Sequence, residues 1–120
     1  MTPNFRAWLD PDMYEETVIH NGKFYLDWRD FEDGNTYDLA VLMQSTGLKD
    51  KNGVEIFDGD IVKLRYTISS DFELFKVNQF RGGSWRIDNR RRGSDLWLRN
   101  EDCEVIGNIH ENPELLESVD

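Results

Sequence analysis

The stretch of this chain best suited to hold an anion is Arg90-Arg91-Arg92, with Arg86 and two tryptophans, Trp85 and Trp97, close by in sequence. Guanidinium groups give charge-assisted hydrogen bonds to phosphate, and indole rings can stack on bases. The competing reading is a solvated hairpin loop that neutralises an otherwise acidic protein, or that meets the acidic tail Glu111–Asp120 of its own or a neighbouring chain. A second group, Asp50, Asn52, Asp58 and Asp60, suggests a calcium loop. Setting Gly53 at the sixth position of such a loop puts Leu48 first and Gly59 twelfth, where oxygen ligands are required. Turn chemistry is therefore favoured: Asn52-Gly53 as a hairpin turn and Asp58-Gly59-Asp60 as a bend into the next strand.

The remaining reactive types point away from catalysis. Cys103 is the single cysteine, and its neighbours Glu101, Asp102 and Glu104 oppose a thiolate. It allows no intrachain disulfide and no Cys-x-x-Cys zinc site. His20 and His110 are the two histidines, and His110-Glu111 lacks the second histidine of a helical zinc motif. There is no nucleophile elbow, P-loop or dinucleotide fingerprint. The reading is a protein that is not an enzyme, with no cofactor and no metal.

Composition sets the frame for these groups. A formal net charge of −10 disfavours general attraction to nucleic acid or anionic membrane. Half of the 14 basic residues nevertheless fall between Lys76 and Arg99, so a local basic patch hides inside an acidic whole. No apolar stretch approaches the ~20 residues that span a bilayer, and the N-terminus shows no leader, so the expected location is the cytoplasm.

The elements that must position these residues are mostly strands, because short alternating runs outnumber helical periods. Phe5–Leu9 reads as a strand stopped at Asp10-Pro11-Asp12, with Met13–Ile19 as its partner. His20-Asn21-Gly22-Lys23 is a hairpin turn leading into the strand Phe24–Trp28. Arg29–Asp38 reads as a loop, and Leu39–Gln44 and Val54–Phe57 as strands. Ile61–Ile68 alternates apolar and polar, as a strand with one buried face does. Phe72–Phe80 and Ser84–Ile87 flank the turn Arg81-Gly82-Gly83. Asp88–Asp95 is a basic loop, Leu96–Leu98 a strand end, and Cys103–Ile109 the last strand. Asn112 and Pro113 read as N-cap and first residue of a short helix whose one face carries Leu115, Leu116 and Val119. That helix either caps the domain or docks on another subunit through Leu115 and Leu116.

Several of these pieces form a recognisable set: Phe5-Arg6-Ala7-Trp8, then Leu42–Gly53 followed by Glu55-Ile56-Phe57-Asp58-Gly59-Asp60-Ile61-Val62, and Val105–Leu116 at the end. The chain resembles the YopX family of small phage and prophage proteins. The resemblance implies the bacterial host cytoplasm and a β-rich α+β fold. An N-terminal β-hairpin subdomain (1–38) would be followed by an SH3-like small barrel half with a short C-terminal helix (39–120). It makes homo-oligomers plausible and supplies no catalytic residues to carry over. Asp71–Asn100 matches no motif of the family.

The expectation is thus a small, non-catalytic interaction protein, self-associating or bound to a host or phage protein. The apolar residues Trp8, Trp28, Leu115 and Leu116 would supply core or subunit contacts. Nucleic-acid binding through segment 76–99 is the alternative, with Arg86, Arg90, Arg91, Arg92, Trp85 and Trp97 as contacts. A second alternative is an acidic mimic of DNA that occupies a host enzyme. No membrane role is expected.

Overall fold

Antiparallel strands joined by short turns make up most of the chain, as its alternation requires. The structure is a computed structural model that describes residues 5–37, 39–81 and 83–119, the side chains of 118 and 119 lying outside that set. Two compact units result, Met1–Ser45 and Thr46–Asp120, with the boundary inside the fifth strand. Among the described residues no helix is long and apolar enough to cross a membrane.

In the first unit β1 (Phe5–Leu9) pairs antiparallel with β2 (Asp12–Tyr14), Ala7 facing Tyr14. The expected partner strand Met13–Ile19 is broken. Residues 15–17 leave the ladder, and the Thr17 hydroxyl donates to the Phe5 carbonyl at 2.9 Å. β3 (Val18–His20) instead forms its own hairpin with β4 (Lys23–Tyr25), His20 opposite Lys23. Asn21 and Gly22 both take positive φ, +51° and +77°, which is the demand of a tight two-residue hairpin turn.

The segment expected as a loop after Trp28 is a helix, α1 (Trp28–Asp33). The Asp27 carboxylate accepts the Asp30 N–H at 2.9 Å as N-cap, and Gly34 closes the helix in the left-handed region. Phe31 packs edge-on against His20, Tyr25 and Trp28. A single turn and a half shows no usable period, so caps and one aromatic anchor decide it. β5 (Val41–Lys49) pairs with β1, Phe5 opposite Gln44 and Arg6 opposite Met43, and buries Met43 and Ser45.

The second unit is a curled, SH3-like half-barrel. β6 (Glu55–Phe57) pairs with β5, and the remaining strands form one antiparallel sheet. They are β7 (Asp60–Arg65), β8 (Phe72–Gln79), β9 (Trp85–Asp88), β10 (Gly93–Asp95) and β11 (Glu104–Asn108). Their order across the sheet is β10-β9-β8-β7-β11. Register puts Val62 opposite Phe75 and Val77 opposite Ile87. With Ile56, Leu64, Leu96 and Cys103 these side chains make a dry core, fully or almost fully shielded from water. The residues between them, Lys63 and Arg65 on β7 and Phe72 and Leu74 on β8, share the opposite face.

Further expectations are corrected in this unit. The β7 strand ends at Arg65, and Ile68 sits in the following turn, 95% exposed, because Ser70 ties back to Thr67 and turns the chain. Leu96–Leu98 is a 3-10 turn rather than a strand end, pinned by the buried Leu96. Asp88–Asp95 is a tight hairpin, since Gly93 pairs with Asp88 and β10 joins the sheet. The turn before β9 contains Gly82, outside the described residues, but its closure is visible: Phe80 N–H donates to Ser84 O at 3.0 Å. After β11 comes a 3-10 turn (Pro113–Leu115) and α2 (Leu116–Val119), which packs against β8. The Asn112 side chain does not cap that turn, as it accepts the Asn108 N–H at 3.2 Å instead.

Candidate functional site

Asp50 and Asp60 show what the acidic, glycine-containing stretch does. The Asp50 carboxylate accepts N–H groups from Asn52, Val54 and Val105 at 2.8, 2.9 and 2.9 Å. It closes the turn at Asn52-Gly53 and ties that turn to β11. Burial pushes its pKa up, but the three N–H donors outweigh this and hold it below the usual carboxylate value. Asp60 accepts the Phe57 N–H at 2.8 Å across the bend at Asp58-Gly59. Gly59 takes φ +86°, a conformation costly for other residues, and its N–H reaches Val77 O at 3.0 Å. Asp58 is shifted upward by burial, against the pull of Lys76, the Gly59 N–H and His110. These oxygens serve the backbone, so the stretch bends and ties the chain.

Cys103 lies in the core with no exposed surface, its thiol donating to Asn100 O at 3.4 Å. Burial, then the charge of Asp50, pushes it up to about 12. A thiol so placed is no nucleophile at neutral pH.

The arginine run is built by Asn89. Its side-chain oxygen accepts the N–H groups of Arg91 and Arg92, both at 2.9 Å, and its own N–H donates to Arg92 O at 2.9 Å. This Asx turn makes the β9–β10 connection tight and turns Arg90 and Arg91 out to solvent. The Asn89 amide also donates to Leu74 O at 3.1 Å and Glu73 Oε1 at 3.3 Å, fastening the turn to the start of β8.

Neighbouring strands bring further cations to the same end of the sheet. Arg65, the last residue of β7, faces Phe72, the first of β8. Arg65 and Lys63 stand over the Phe72 ring, 4.6 and 4.8 Å from its centre. Tyr66 follows, its ring flanked by Arg92 at 4.8 Å and Arg99 at 4.4 Å, and its hydroxyl donates to Gly93 O at 3.0 Å. Arg99 also donates to Tyr66 O at 2.7 Å. On the core-side face Glu73 pairs with Arg92 at 3.4 Å and reaches Arg91 only at 4.0 Å. Asp71 is exposed just before Phe72. The result is a cationic sheet end with one half-exposed phenyl ring.

The other residues singled out in the sequence sit elsewhere or play other parts. Arg86 pairs with Asp88 at 3.2 Å and Asp95 at 3.5 Å, and with Phe80 and Asp88 it lines a shallow hollow. Trp85 packs on the core. Trp97 is 64% exposed on the 3-10 turn, beside the exposed Leu98. Leu115 and Leu116 are half-buried, and Val119's side chain lies outside the described residues. Lys63, Arg65, Tyr66, Phe72 and Glu73 were absent from the sequence-based site. The alternation that buries Val62 and Leu64 turns Lys63 and Arg65 to the other face, and that signal was readable. Their meeting with Phe72 depends on the β7–β8 register, which was not.

Comparison with known proteins fits this architecture. Residues 4–117 match the YopX protein family. The chain belongs to the YopX family. A YopX-type fold is also seen in solved structures. Protein EF1440 from Enterococcus faecalis is 29% identical, with a TM-score of 0.64 over 97% of this chain and 99% of that one. Protein yopX from Bacillus subtilis is 21% identical, with a TM-score of 0.60 over 94% of this chain and 97% of that one, a likeness of fold. No curated protein matches the chain.

Proposed function

We propose that this YopX-family chain is a non-catalytic interaction protein that grips a polyanionic partner at the cationic end of its second unit. The observation that carries the reading is the grouping of Arg91, Arg92 and Arg99 about Tyr66 and Glu73, with Arg90 exposed on the same turn and Lys63 and Arg65 about Phe72 on the other face of the same sheet end. Local charge of one sign on a rigid sheet end attracts an opposite partner even in a protein of net charge −10. The buried thiol of Cys103 and the backbone-bound carboxylates of Asp50 and Asp60 favour binding over chemistry.

Retention on immobilised heparin tests this reading. A protein with a sequence pI of about 4.6 should pass through such a column. Retention at low salt, elution by moderate salt, and weaker retention of an Arg90→Ala/Arg91→Ala variant are expected. An Arg86→Ala variant should elute with the parent, since Arg86 is already paired with Asp88 and Asp95. Passage of the unmodified protein straight through at low salt ends the reading.

Self-association is a second reading, supported by Trp97 and Leu98 standing exposed side by side on a turn anchored by buried Leu96. Sedimentation velocity over a concentration series reads it directly. A mass that grows with concentration and drops in a Trp97→Ser/Leu98→Ser variant is expected. A monomer throughout ends it. Leu115 and Leu116 serve this test less well, because their half-burial ties them to the fold.

A further inference from the structure

We infer that the partner taken at the cationic sheet end is a second copy of this chain, received on the aromatic, acidic surface around Trp28 in its first unit. This rests on the reading of that end as an anion-binding surface and goes beyond it by naming the occupant. The observation is the Trp28 ring. It meets Phe31 in a T-shaped contact, as Tyr25 and His20 do, and stays 63% exposed. Elsewhere the chain covers such rings with its own cations. Phe72 lies under Lys63 and Arg65, Tyr66 under Arg92 and Arg99, and Phe80 under Arg81. Among the described residues no cation stands over Trp28. Trp97 is equally bare, but Leu98 and Arg99 follow it rather than carboxylates.

The surroundings of Trp28 are negative. Residues 1–45 hold nine Asp and Glu against three basic side chains. On α1 itself Asp30 accepts the Tyr37 hydroxyl at 3.3 Å, while Glu32 and Asp33 are exposed and enter no ion pair among the described residues. An uncovered indole among carboxylates suits an arginine above other side chains. Trp is the best ring for a cation, and a guanidinium also donates to carboxylate oxygens. The chain carries that group itself. The Asn89 turn holds Arg90 and Arg91 out in solvent. Two surfaces of opposite sign on one chain are satisfied when one copy's arginine turn meets the next copy's Trp28. Copies of net charge −10 repel in most orientations, and this orientation is one in which unlike charges face each other.

Sedimentation velocity of the full chain over a concentration series, with two variants run alone and mixed, tests the inference. Arg90→Glu/Arg91→Glu removes the inserting cations, and Trp28→Ala/Asp33→Lys spoils the receiving surface. The parent should self-associate, and each variant alone should do so about tenfold or more weakly. An equimolar mixture of the two should restore a one-to-one pair, because one variant keeps the receiving surface and the other keeps the arginines. That restoration separates a lost contact from a misfolded variant, and circular dichroism checks folding directly. The restored pair should weaken between about 0.15 and 0.5 M salt, where contact charges are screened further. Trp28→Ala/Asp33→Lys should be held by heparin at least as firmly as the parent. A monomeric parent, or a mixture no more associated than its parts, overturns the inference. Heparin retention of the parent then leaves the broader anion-binding reading standing. Self-association that survives in both variants also overturns the inference, and assigns the contact to Trp97 and Leu98. A monomeric parent that heparin does not retain ends both.

Discussion

Arg92 reaches Glu73 with Nε and Oε2 3.4 Å apart, and this pair locks the β9–β10 turn onto the start of β8. Glu73 is only 13% exposed at its side chain and also receives the Asn89 amide. It therefore opposes the function of the surface it organises. Glu73→Gln should lower stability by about 1 kcal/mol, since a charged hydrogen bond becomes a neutral one. The same variant should elute from heparin at higher salt, because one negative charge leaves the cationic end. Urea unfolding and the elution position check the two directions, and a variant that loses retention would contradict this account of Glu73.

The cationic end was only half legible in the sequence. Arg90, Arg91 and Arg92 announced themselves as a run, and their turn followed from Asn89 and Gly93 once β9 and β10 were paired. Arg86 lies in the same stretch but is spent on Asp88, two residues along its own strand, and on Asp95, which the β9–β10 register sets opposite it. Lys63 and Arg65 lie more than twenty residues upstream, and pairing of β7 with β8 and of β8 with β9 carries them to the same end of the sheet, on its other face. Linear charge density finds runs. It misses surfaces assembled across a sheet.

Asp50 holds three partly buried backbone N–H groups that would otherwise lose this partner. Asp50→Ala should cost about 3 kcal/mol, and Asp50→Asn less, because one oxygen remains. Its carboxyl titrates below the ordinary 3.8, burial pushing upward and the N–H donors of Val105, Val54 and Asn52 outweighing it. A depressed folded value means the contribution is complete above 3.8 and is lost as pH falls through the folded value. Denaturant midpoints of parent and Asp50→Asn should therefore converge in acid and stay apart at neutral pH.

Cys103 should resist alkylation. With its pKa raised from 9.0 to about 12 by burial and by Asp50, the thiolate fraction near neutrality drops about a thousandfold. Iodoacetamide should label it at the rate of unfolding and promptly in denaturant, as mass spectrometry would show. The sign for stability is opposite to that of Asp50: the contribution is complete below 9.0 and is lost as pH rises towards 12. Fast labelling of the native protein would contradict the burial.

Strands declared themselves better than helices. The Asn-Gly turns and the Val62/Leu64 alternation are local signals, and local signals survive in a sequence. α1 was hidden because six residues carry no period. Yet Asp27 and Asp30 at its start and Gly34 past its end are the signature of a capped turn. Asn112 misled in the other direction. It stands before Pro113 as an N-cap should, but β11 carries Asn108 close enough to claim its side chain.

Gly107 owes its identity to that same asparagine. A Cβ at position 107 would press on the Asn112 side chain, with Cγ at 2.8 Å and Cβ at 3.2 Å. Gly107→Ala should displace Asn112 from the Asn108 N–H and cost about 1–3 kcal/mol. Thermal unfolding reads the loss, and an unchanged melting temperature would mean that the tail moves aside freely.

Tyr66 separates the stability of the cationic end from its binding. Its hydroxyl bonds Gly93 O, its ring lies over Phe75, and Arg92 and Arg99 stack on it. Tyr66→Phe removes one partly buried hydrogen bond and should cost about 1 kcal/mol, with heparin retention unchanged because both guanidinium groups keep their ring. Tyr66→Ala removes the ring, should cost about 3–5 kcal/mol, and leaves every cation in the chain. Retention should nevertheless weaken, since Arg92 and Arg99 lose the surface that fixes their direction. Urea unfolding and heparin elution measured on both variants check this. Undiminished retention in a folded Tyr66→Ala protein would mean that charge alone, without arrangement, suffices at this end of the sheet.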